Sequence, residues 1–69
     1  MKVSARNQIT GTVTAIKDGA VEAQVTLDIG GGNSLVSVVT MDAVASLGIA
    51  VGSKVIALVK ADSVMLAVD

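Results

Sequence analysis

Two short stretches concentrate groups that could hold a small anion. Ser4, Ala5, Arg6 and Asn7 stand near the start, and Lys60, Ala61, Asp62 and Ser63 near the end. A small oxyanion is held by converging N–H and O–H donors with a compensating cation. Ser4 offers a hydroxyl, Arg6 a guanidinium, Asn7 an amide, and Ala5 a backbone N–H with no bulky side chain beside it. Lys60 adds an ammonium. A plainer reading of the same residues stands next to this one, with Ser4 and Asn7 capping a turn and Arg6 a surface charge.

Other chemistries find less support. The chain has no His and no Cys, so the commonest catalytic bases, nucleophiles and soft metal ligands are missing. Ser-Lys chemistry at Ser4–Arg6 or Lys60–Ser63 is a weak signal, and the reading is that of a protein without enzyme activity. Asp18, Glu22, Asp28, Asp42, Asp62 and Asp69 are scattered, with no calcium-loop spacing, and read as solvent-facing charges or turn residues. A net charge of −1 and the lack of any Phe, Tyr or Trp argue against a nucleic-acid groove, which needs cations and stacking platforms.

The elements that must position the two stretches are strands. Val21, Ala23, Val25, Leu27 and Ile29 alternate with Glu22, Gln24, Thr26 and Asp28, which predicts a strand over 21–29 with one buried face. Asp18-Gly19 marks a hairpin back to a first strand over 9–16. Gly30–Asn33 is a turn, and 34–40 a third strand. Residues 40–48 predict one short helix, with Thr40 as N-cap, Gly48 as the stop, and Met41, Val44, Ala45 and Leu47 facing inward. Residues 54–60 and 64–68 complete a β-β-β-α-β-β order. The expectation is an all-β domain over residues 1–69, a five-stranded OB-like barrel with one helix.

The chain has 69 residues. A domain of this size buries only roughly 60% of the surface its unfolded chain exposes. Yet the mean hydropathy is +0.78. In strand 54–60, Val55, Ala57 and Val59 lie on one face and Ile56 and Leu58 on the other, so both faces are apolar. A small barrel has an outer wall, and covering that wall predicts an oligomer, with cover by the chain's own helix or a loop as the alternative. The longest apolar runs are too short to span a bilayer, and no signal peptide is visible. A cytoplasmic protein without membrane or nucleic-acid partners is expected.

The whole chain resembles the molbindins, the small molybdate-binding Mop proteins built on a TOBE-type domain. The resemblance is carried by Ser4–Gln8 followed by Gly11 and Val13, by Ile29–Asn33, by Ser46–Gly52 and by Val55–Val68. It implies an OB-like barrel assembled as a homo-hexamer, a trimer of dimers, that binds molybdate or tungstate between subunits and needs no other cofactor. The oxyanion-binding residues it implies are Ser4, Ala5 and Arg6, with Asn7 in support, from one chain, and Lys60 and Ala61 from a neighbour. Some relatives carry Ser or Thr where Ala61 stands, so here a hydroxyl is lost and the backbone N–H serves alone. The resemblance also implies a second class of site. Gly31, Gly32 and Asn33 could supply an amide nest for it, or form an ordinary turn. Two functions follow: molybdate storage or homeostasis, or an anion-sensing module that signals to a protein partner.

Overall fold

The computed structural model describes residues 1–69. β1 spans Asn7–Asp18, β2 Glu22–Gly30, β3 Asn33–Thr40 and β4 Lys54–Val59, with helix α1 over Met41–Leu47 between β3 and β4. The four strands form one antiparallel sheet in the order β3-β2-β1-β4.

The long first strand explains the curl of the sheet. The inner half of β1 pairs with β2, from Thr12↔Asp28 to Asp18↔Ala23, while its outer half pairs with β4, from Asn7↔Val59 to Thr12↔Lys54. A bulge between Val13 and Ala15 interrupts the β1–β2 ladder just past the point where the β4 ladder ends, and a bulge bends a strand and strengthens its twist. Gly11 lies at the crossing, where an added Cβ would sit 3.0 Å from the Asp28 carbonyl oxygen and 3.3 Å from Leu27 Cβ. A side chain at this position would require β2 to give by a few tenths of an ångström.

Alternation along β2 works as the sequence predicts for Ala23, Val25 and Leu27, which are buried. Val21 instead lies in the β1–β2 turn and is 71% exposed. The core proper is Val13, Val25 and Leu27, with Ile16, Ile29, Leu35, Val39, Val44, Ile49, Val55 and Ala57 packed around it.

Helix α1 starts and stops where its caps require. Thr40 Oγ1 accepts from the Ala43 N–H at 3.0 Å. At the other end the Gly48 N–H donates to Ala45 and the Ile49 N–H to Val44, the paired bonds of a Schellman motif. Its inward face is narrower than the sequence suggests. Val44 packs on the core and Met41 is half-buried, but Ala45 is exposed and Leu47 is 71% exposed.

The expected fifth strand is absent. Residues Ala61–Ser63 form a 3₁₀ turn and 64–69 continue without pairing. Met65, Leu66 and Val68 are each more than 90% exposed. An apolar β-prone segment becomes a strand only against an edge, and this one lies against none in its own chain. The sheet is therefore a half-barrel of four strands. Its open side is an apolar cleft of about 790 Å³, lined among others by Leu35, Val39, Val55 and Ala57.

Candidate functional site

Antiparallel pairing brings the start of β1 beside the end of β4. The last rung of that ladder is Asn7↔Val59. One step outward, Arg6 follows on the first strand and Lys60 on the other. Ala5 and Ala61 are the next positions. The two donor-bearing stretches, some 50 residues apart in sequence, are thus neighbours at one corner of the sheet within a single chain. The sequence reading gives them to different chains and does not foresee this juxtaposition.

The local structure keeps donors outward. Ser4, Arg6, Lys60 and Ala61 are exposed, while Ala5 and Asn7 are half-buried. Asn7 is the first residue of β1, so the polar run overlaps the strand rather than preceding it. Gln8 braces the segment: its side-chain amide donates to the Ala5 carbonyl at 3.0 Å. Gln8 has no role assigned from sequence, and its place in the polar run is the signal that points to this one. Beyond Lys60, the Ser63 N–H donates to the Lys60 carbonyl at 2.9 Å and closes the 3₁₀ turn. The Ala61 and Asp62 amides precede that bond and are not used by the turn. Lys60 Nζ lies 3.7 Å from Asp62 Oδ2. Asp62, read from sequence as a scattered solvent charge, therefore belongs to the candidate site.

The glycine-rich segment is a two-residue hairpin loop. Gly30 pairs with Asn33, and Gly31 and Gly32 have φ of 63° and 79°, the doubly left-handed backbone of a type I′ turn. The Gly30 N–H donates to Asp28 Oδ1 at 2.9 Å, so a carboxylate already takes one amide of this loop. The loop lies at the same end of the sheet as the start of β1, but not in the β1–β4 ladder.

The donors collected at the Arg6–Lys60 corner are a hydroxyl, a guanidinium, an ammonium and backbone amides. That set suits an anion with several acceptor oxygens and no proton to give. No three His, Cys, Asp or Glu residues converge to ligate a cation.

A family model described as the TOBE domain matches residues 3–66. The chain belongs to the TOBE-domain family. Over 69 residues this TOBE domain is 51% identical to a probable molybdenum-pterin-binding protein of Haemophilus influenzae, with all of both chains covered. A molybdate-binding protein from Sporomusa ovata superposes with a TM-score of 0.90 at 42% identity, over 97% of this chain and 98% of the other. The cytoplasmic molybdate-binding protein ModG, in a form with molybdate bound, gives 0.83 at 52% identity, over 88% of the TOBE domain and 43% of the ModG chain. These likenesses agree with the mostly-β fold with one short helix that the sequence predicts.

Proposed function

We propose that this TOBE domain binds molybdate or tungstate between copies of itself and serves to store or buffer the anion in the cytoplasm. The observation that carries the anion reading is the meeting of the Ser4–Asn7 and Lys60–Ala61 segments at one sheet corner of a single chain, and a second copy packed against that corner would complete the site. The bound species is the bare oxyanion rather than a pterin conjugate, because the chain offers no aromatic ring on which a pterin would stack. Ser4, Arg6 and Lys60 donate from side chains, Ala5 and Ala61 from backbone amides, and Asn7 holds the segment in register. Gly31, Gly32 and Asn33 are the candidates for a second class of site. Binding, not catalysis, is the activity, and relatives described as binding proteins support it.

Assembly is part of the proposal. Ile56 and Leu58 on the outer face of β4 are 48% and 45% exposed, and the 64–68 tail is unpaired. Exposed apolar surface of this extent marks an interaction site, and a homo-hexamer arranged as a trimer of dimers would cover it. No helix is long and apolar enough to cross a membrane.

The sensing alternative draws on Val36 and Val38, 59% and 60% exposed on the outer face of β3, which could dock a protein partner. A partner captured from cell extract only in the presence of molybdate would favour it. The primary reading is tested by titrating the full chain with sodium molybdate in a calorimeter. Saturable binding is expected, and no binding at millimolar anion contradicts it.

A further inference from the structure

We propose that Asp62 is an internal competitor for Lys60 that sets how tightly the oxyanion is held. The inference rests on reading the Arg6–Lys60 corner as the anion site. Lys60 Nζ lies 3.7 Å from Asp62 Oδ2, with the two side chains 80% and 74% exposed. The 3₁₀ turn produces this contact. Lys60 precedes the turn in extended backbone, and the Ser63 N–H bond to the Lys60 carbonyl folds residue 62 back over residue 60.

A carboxylate is an acceptor only, so it has nothing to offer a fully deprotonated oxyanion and repels it. An ammonium drawn toward Asp62 is shared between the carboxylate and the anion, and the carboxylate's charge beside it opposes the dianion. Asp62 thus acts as a positioning residue, through Lys60. Because the pair is solvated, the effect is an adjustment of affinity rather than its loss. Such an adjustment suits a buffering protein, which must release its cargo. In the empty site the lysine faces Asp62 alone, and in the filled site it is shared between Asp62 and the anion.

Calorimetric titration of the full chain with sodium molybdate tests this with Asp62→Asn, Asp62→Glu, Lys60→Ala and the Lys60→Ala/Asp62→Asn double variant. Thermal melts check that each variant is folded, and Asp62→Ser replaces Asp62→Asn if that one is not. Asp62→Asn is expected to bind about two- to fivefold more tightly than the parent. Asp62→Glu, which keeps the charge, is expected to bind like the parent. The gain from Asp62→Asn should shrink once Lys60 is gone. If Lys60→Ala weakens binding but Asp62→Asn binds no better than the parent, the competitor role is overturned and the site reading stands. An equal gain with and without Lys60, or an Asp62→Glu that behaves like Asp62→Asn, also overturns it. If the parent does not bind, or Lys60→Ala binds like the parent, the lysine's part in the site is wrong and the competitor role falls with it.

Discussion

Asn7 pairs with Val59 at the outer end of the β1–β4 ladder, and this pair sets where the two candidate cations stand. Arg6 and Lys60 are the next residues outward on their strands. If both donate to one anion, each should matter and their effects should be coupled. Hydrogen bonds to charged groups contribute about 1.5–3 kcal/mol each. Arg6→Ala or Lys60→Ala is therefore expected to weaken molybdate binding by roughly ten- to a hundredfold. The double variant should depart from additivity, since one ligand is shared. Lys17→Ala, far along β1, is the control and should bind like the parent. Calorimetry on the parent and all four variants decides it.

Selectivity follows from the donor set. A fully deprotonated tetrahedral dianion presents acceptors on every side, whereas phosphate near neutral pH keeps a proton that a donor site cannot accept. Sulfate has the charge but shorter bonds, and reaches the donors less well. Molybdate and tungstate are expected to bind well, sulfate weakly and phosphate least. Competition titrations that rank sulfate equal to molybdate would contradict the donor geometry.

The tail should carry assembly. Deleting residues 64–69 removes Met65, Leu66 and Val68, which contact no strand of their own chain. The full chain is expected to sediment as a stable oligomer without anion, and the shortened chain as a smaller species with more exposed apolar surface. Sedimentation velocity and binding of a hydrophobic dye measure both. Identical oligomers for the two proteins would assign assembly to Ile56 and Leu58 instead.

Gly11 offers a stability test independent of any ligand. A Cβ there would press on backbone of β2, which cannot swing aside as a side-chain tip can. Gly11→Ala is expected to cost about 1–3 kcal/mol, read as a lower thermal midpoint. Thr40→Ala, which removes the bond to the Ala43 N–H, should cost about 1 kcal/mol.

Local signals were the legible part of this fold. Thr40 and Gly48 bound the helix in sequence because capping is a property of a few adjacent residues. The Ala23–Leu27 alternation shows its buried face for the same reason. The 64–68 segment has as clear an apolar pattern, yet forms no strand, since pairing depends on an edge that its own chain does not present to it. Leu47 likewise reads as inward but stands exposed beside the open side of the half-barrel. At the site, residue types offered a set of donors alongside an ordinary turn-and-surface reading, while register stayed hidden. Nothing in the spacing of Arg6 and Lys60 says that β1 and β4 are neighbours, because that pairing depends on the whole sheet order. The Lys60–Asp62 contact depends in turn on a 3₁₀ turn that Ala61–Ser63 does not advertise.

The central claim is that copies of this chain together hold a molybdenum or tungsten oxyanion. Native mass spectrometry of the full chain, with and without molybdate, tests it most directly, because mass reports subunit number and bound anion at once. The account predicts a hexamer in both conditions and discrete additional mass, in whole numbers of molybdate ions, only when the anion is present. A folded monomer that gains no mass from molybdate would contradict it.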